Sequence, residues 1–201
     1  MARLFTAVEL GASARDAIVR EQRAMLAALG RSGEPGVRPV PSAHLHLTLV
    51  FIGEIADERV DAFAAAMRED VALAPFAIEF DRPGIFPSHG APRVLWIGVG
   101  RGASRLAELQ ATVVSRLRPL GLLPDARPYR PHLTIARWKG EHARRPRRPL
   151  PAVAVPVREQ VHGVTLFRSH LRPGGPEHVP LATARLIGGA ADAHEGAAGL
   201  H

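Results

Sequence analysis

The sequence predicts an α+β protein built from two similar lobes. Two observations carry this. Segments that alternate apolar and polar residues, as strands do, are interleaved with segments whose apolar residues fall at helical spacing. A short motif, His-x-Thr followed by an aliphatic residue, also occurs twice on predicted strands. It reads HLTL from His46 to Leu49 and HLTI from His132 to Ile135, 86 positions later. Each copy follows a proline-containing turn, and such a recurrence suggests two halves descended from one unit.

The elements are justified in chain order. Leu4 to Leu10 alternates as a strand, and Ser13 is placed to cap a helix running to about Leu29, with Ile18, Met25 and Leu26 on its apolar side. Gly30 to Pro41 is rich in glycine and proline and reads as a linker. HLHLTLVFIG, from His44 to Gly53, is the first motif strand. Asp57 precedes a helix to about Val71 with Val60, Phe63, Ala64 and Met67 as its buried stripe. Phe76 to Phe80 and Arg93 to Gly100 read as strands around a loop from Arg82 to Pro92. Leu106, Leu109, Val113 and Leu117 mark a helix from Ser104. Tyr129 to Trp138 is the second motif strand, and Val153 to Val157, Val161 to Arg168 and Val179 to Leu186 are three more. One bilobal domain is expected over residues 1–187, with a disordered tail over 188–201.

Composition narrows the class. A hydrophobic fraction of 46% over 201 residues supports a real core. No run approaches the ~18 apolar residues of a membrane span, and the N-terminus lacks a signal-peptide core. With no cysteine, disulfides, thiolate catalysis and thiolate metal sites are all excluded. A cytoplasmic monomer is the expectation. The net charge of +7 suits an anionic partner such as nucleic acid. Arginine supplies nearly all of that charge, Lys139 being the one lysine, and a GC-rich genome explains this equally well.

The motifs carry the chemistry. In an extended chain, residues two apart share a face, so His46 and Thr48 point one way, and so do His132 and Thr134. If the two halves face each other, two imidazoles and two hydroxyls meet. One imidazole can then take a proton while the other gives one, and the hydroxyls can hold a phosphate. A phosphodiester can be cut this way with neither a metal nor a covalent intermediate.

Here the chain resembles a known family. The paired motifs, in the contexts HLHLTLVFIGE and YRPHLTIAR, look like the signature of the 2H phosphoesterase superfamily, in its bacterial and archaeal branch of RNA 2',3'-cyclic phosphodiesterases related to 2'-5' RNA ligases. RLFTAVEL, RVLWIGV and VTLFRSHL extend the resemblance to roughly residues 1–187. It implies a bilobal fold with two antiparallel sheets lining a central cleft and helices outside. It implies hydrolysis of 2',3'-cyclic phosphate ends of RNA or nucleotides to 2'-phosphates, with some members joining or splitting 2'-5' linkages, and no metal or other cofactor. His46 and His132 become the catalytic pair, His46 the acid and His132 the base, and Thr48 and Thr134 the phosphate-binding pair.

Further candidates flank the motifs. Arg130, two before His132, should face the same side and can bind phosphate as a fork; Arg137, three after Thr134, should face away and serve structure. His44 shares the face of His46 and is a candidate substrate contact. Among Phe51, Trp96, Tyr129 and Trp138, Tyr129 is the favoured stacking ring for a base. The run RRPRRP over 144–149 is either an RNA grip or a solvated loop. Two other classes compete: a metal hydrolase using His44 and His46 with His89, His132 or His142, and a non-catalytic RNA-binding module of the same fold.

Overall fold

The computed structural model describes residues 1–30, 37–123, 125, 127–138, 150–172 and 175–189. The arginine-rich run at 144–149 and nearly all of the expected tail lie outside them. The described residues form an α+β structure. Its strands are β1 (Ala2–Glu9), β2 (Val37–Pro39), β3 (His46–Ile55), β4 (Phe76–Phe86), β5 (Val94–Val99), β6 (His132–Trp138), β7 (Val157–Val161), β8 (Gly163–Arg172) and β9 (Gly175–Arg185). Its helices are α1 (Ala12–Ala28), α2 (Val60–Ala66) and α3 (Ala103–Leu117).

Two separate sheets were expected, and the structure corrects this. All nine strands belong to one sheet, in the order β7-β4-β5-β6-β3-β1-β8-β9 with β2 beside β6. Its strand pairs are antiparallel throughout. The two halves of the chain join at the centre, where β3 and β6 meet through the pair Leu47–Leu133. Both leucines are 0% exposed, and burying each contributes about 1.5–3 kcal/mol. The seam is therefore stitched by its apolar face.

That face carries the main core. Leu45, Leu47, Leu49, Leu133 and Ile135 join one cluster with Ile18, Met25 and Leu26 of α1 and with Leu106, Leu109, Val113 and Leu117 of α3. The helices cross over as they do so. α1, which leaves β1, packs on β6 and β7, whereas α3, which leaves β5, packs on β3. Each half thus supplies the helix that covers the other's strands. α1 begins earlier than a Ser13 cap predicts, with Gly11 at the cap position. Its Gly11 N–H donates to the Glu159 carboxylate at 2.6 Å, so an anion on β7 takes the place of a local cap.

Other boundaries differ too, and α2 ends at Ala66 where a helix to about Val71 was expected. β4 runs on to Phe86 through Pro83 and Gly84, because Gly84 lies so close under Trp96 that a Cβ would sit 2.0 Å from its ring. The last three strands are Val157–Val161, Gly163–Arg172 and Gly175–Arg185; alternation alone placed the first of them one strand-length early. His44 closes a 3-10 turn, Ser42–His44, rather than opening β3.

Candidate active site

The opposite face of the seam is open, and both motifs project there. His46, Thr48, His132 and Thr134 are all half-buried while the leucines between them point into the core. Carrying the Leu47–Leu133 register one residue to either side sets His46 opposite Thr134 and Thr48 opposite His132. The two histidines are then diagonal neighbours on adjacent strands, a relation in which the Cα atoms of a regular antiparallel pair lie about 7–8 Å apart.

Both imidazoles are held alike. The His46 Nδ1–H donates to the His44 carbonyl at 2.8 Å, and the His132 Nδ1–H to the Arg130 carbonyl at 2.7 Å. A carbonyl only accepts, so each ring carries its proton on Nδ1 and turns a free Nε2 outward. Aromatic rings set the tilt. Phe5 lies 5.0 Å from His46, and Phe86, stacked on Trp96, meets His132 edge-on at 5.1 Å.

Burial pushes the His46 imidazole down, to about 4; the carbonyl bond to His44 opposes this, and the charges of His178, Arg137 and His44 reinforce it. His132 is lowered too, again chiefly by burial, with Arg137 adding to it. One arginine thus acts on both histidines, and it is the one that strict alternation sends to the other face. A β-bulge is the reason. Thr134 pairs with Trp96 and Ala136 with Leu95, leaving Ile135 as the extra residue. The bulge reverses the alternation: Ile135 and Ala136 are both buried, and Arg137 emerges on the open face. β3 does the same at Leu49, which falls between the pairs Thr6–Val50 and Ala7–Thr48. Phe51 emerges there, 73% exposed and 6.4 Å from Phe5.

The other candidates divide. The Arg130 side chain is exposed on the loop before β6, and its carbonyl is the group that serves the site. Tyr129 packs on the main core, and its hydroxyl donates to the Thr48 carbonyl at 3.1 Å. It is a strap on β3, and Phe51 is the more exposed ring. Trp138 is only 9% exposed. His44 reaches the open face, where its ring meets His178 of β9 at 5.5 Å. His178 also meets His46 at 5.3 Å. Sequence reasoning missed His178, since nothing within its own strand marks it. Among the described residues no group of three or more histidine, cysteine or acidic side chains is arranged to hold a metal ion; His142 lies outside them.

An antiparallel α+β scaffold with twin His-x-Thr motifs on one open face defines a class, and comparison with known proteins agrees. The profile described as the 2'-5' RNA ligase superfamily matches residues 13–173, and the chain belongs to that superfamily. It is 35% identical over 183 residues to the RNA 2',3'-cyclic phosphodiesterase of Archaeoglobus fulgidus, covering 87% of this chain and 94% of the relative. It is 36% identical over 194 residues to that of Thermus thermophilus, covering 92% and 91%. Among solved structures, the crystal structure of TT0787 of Thermus thermophilus aligns with a TM-score of 0.76 at 30% identity over 92% of this chain and 98% of its own. Escherichia coli LigT complexed with 3'-AMP aligns at 0.74 and 26% identity, with the same coverage.

Proposed function

We propose that the protein hydrolyses 2',3'-cyclic phosphate ends of RNA or nucleotides to 2'-phosphates, without a metal, through His46 and His132. The observation that supports this is the buried Leu47–Leu133 pair, which puts the two motif histidines on adjacent strands, each with Nδ1 bonded to a backbone carbonyl and Nε2 left for a substrate. The cyclic phosphate sits between them. His132 takes a proton from water as the water oxygen bonds to phosphorus, and His46 gives its proton to O3' as the P–O3' bond breaks. The Thr48 and Thr134 hydroxyls donate to the non-bridging oxygens, and the Arg137 guanidinium offsets their charge. A 5'-hydroxyl in place of water would give a 2'-5' linkage at the same site. In this reading the halves on either side of the seam act as pseudo-symmetric lobes of one cleft, and the protein works as a cytoplasmic monomer.

The low pKa of His46 fits the acid role. In the empty site burial keeps the ring neutral. A bound phosphodiester anion offsets that burial and draws a proton onto Nε2. The proton then leaves readily, because the buried ring holds it weakly. The direct test is an oligoribonucleotide ending in a 2',3'-cyclic phosphate, incubated with EDTA, with product identification. A 2'-phosphate is expected. A 3'-phosphate, or turnover abolished by EDTA and restored by zinc, overturns the scheme.

A further inference from the structure

The open face holds a third imidazole that the two-histidine scheme leaves idle. His178 lies on β9, three ladder steps from β3 through β1 and β8. In a flat sheet that separates the backbones by about 14 Å. The rings of His178 and His46 are nevertheless 5.3 Å apart, edge to face at 86°. The sheet therefore curls and brings β9 over the site. His44 approaches the same ring from the turn before β3, at 5.5 Å, and Phe5 lies beneath at 5.0 Å.

Among the described residues the His178 Nδ1 has no hydrogen-bond partner although it is buried. The ring is one of three imidazoles that meet on this face, with His44 and His46 both within 5.5 Å of it. The charges around it select the ligand. Facing it are His44 and His46, with Arg137 of β6 acting on His46 from beyond. The carboxylates on the surrounding strands are engaged elsewhere: Glu9, paired with His46 across β1 and β3, accepts from Thr165; Glu54, in the row of His178 through Ser169 and Arg3, holds Arg3; Asp57 holds Arg168 of β8; and Glu177 has a partner of its own. The surroundings are imidazole-rich, which suits an anion with several acceptor oxygens. Successive phosphates of one strand are separated by a single nucleotide, and His46 and His178 are neighbours on one face.

We propose that His178 and His44 form a second anion subsite adjoining His46, which takes the phosphate on the 5' side of the substrate's terminal nucleotide. This rests on the function proposed for the His46–His132 pair. It makes the site a reader of RNA ends in preference to bare nucleoside cyclic phosphates. His178 is pushed below its ordinary pKa by burial and by His44. Anion binding therefore requires proton uptake, and the preference weakens as pH rises.

The test compares adenosine 2',5'-bisphosphate with adenosine 2'-phosphate as ligands, by calorimetry, at about pH 6 and about pH 8. The bisphosphate is expected to bind about tenfold tighter at the lower pH and with a smaller advantage at the higher. His178→Gln should remove that advantage, and His44→Gln should reduce it, which covers the case of one variant failing to fold. Equal binding of the two ligands by the wild type, or an advantage that survives His178→Gln, overturns the subsite. Binding needs no turnover. An absence of cyclic phosphate hydrolysis would therefore sink the proposed function separately, leaving the ratio of affinities to judge the subsite. With turnover, the same ratio is expected in kcat/KM for adenosine 2',3'-cyclic phosphate with and without a 5'-phosphate.

Discussion

β3 and β6 carry the same four-residue motif, present it on the same face and bulge at the same place. They differ just beyond the motif. The residue three after the threonine is Phe51 on β3 and Arg137 on β6. Each is turned outward by a bulge at the motif's last residue, Leu49 or Ile135. One duplicated backbone device thus aims an apolar ring on one side of the seam and a cation on the other. The shared part of the motif suits the symmetric demands of the reaction, a proton taken and a proton given. The part that differs suits a substrate with two unlike ends, a base and a phosphate.

The largest effect expected is on the shared part. His46→Ala and His132→Ala should each lower kcat/KM by about a thousandfold while the protein remains folded at neutral pH. A substrate with sulfur in place of O3' separates their roles, because a thiolate leaves without protonation. It should restore most of the rate of His46→Ala and little of that of His132→Ala. Rescue of the other variant would exchange acid and base.

Acid stability sharpens the same comparison. For His46 the unfolded chain binds a proton near 6.5 while the folded protein does so only near 4. Over that window the unfolded state holds more protons, so stability falls as pH falls from about 6.5 to about 4 and levels off below. The loss attributable to His46 is at most about 3 kcal/mol. His132 contributes in the same direction and by less. Urea midpoints at pH 7 and pH 4 should therefore converge more for His46→Asn than for His132→Asn. Equal convergence would mean that the two rings are equally buried.

The same two strands explain how much of the molecule was legible in the sequence. The histidines and threonines were legible because side-chain period two is set by backbone geometry and survives any fold. Leu106, Leu109, Val113 and Leu117 were legible as a helix stripe for the equivalent reason. Arg137 was not, because a bulge inverts alternation and leaves no mark in the side chains. His178 was not, because it reaches the site through curvature of the whole sheet. The seam was not either: a single sheet and two facing sheets have the same strand pattern, and the Leu47–Leu133 pair decides between them.

The next effect belongs to the part that differs. Arg137→Ala should reduce kcat/KM about 30-fold, the scale of one charge-assisted hydrogen bond to phosphate. Its charge also lowers both histidines, so the acidic limb of the pH profile should move to higher pH in the variant. Phe51→Ala should raise KM for an oligonucleotide about tenfold and leave that limb in place. If the two variants shifted the pH profile alike, Arg137 would not be acting through charge.

The smallest effects test what pins each bulge. Behind Arg137, the Ile135 carbonyl accepts from the buried Gln22 side chain at 2.6 Å and from the Val40 N–H at 2.9 Å. Beside the bulge of β3, the Thr48 carbonyl accepts from the Tyr129 hydroxyl at 3.1 Å. Burial pushes the phenol's pKa up, so it remains a donor at any pH at which the protein is studied. Gln22 donates to two carbonyls, of Val40 and Ile135, from within the core. Gln22→Leu therefore leaves buried acceptors short of a donor and should cost about 1–3 kcal/mol. It should also blunt the Arg137-dependent placement of the acidic limb, because the bulge that aims the guanidinium loses its clamp. Tyr129→Phe keeps the ring's packing and removes one bond, so about 1 kcal/mol is expected, with kcat/KM changed less than in Gln22→Leu. Urea unfolding of the two variants gives the order directly. A larger loss for Tyr129→Phe would make the strap across the seam, rather than the clamp from α1, the principal support of the site.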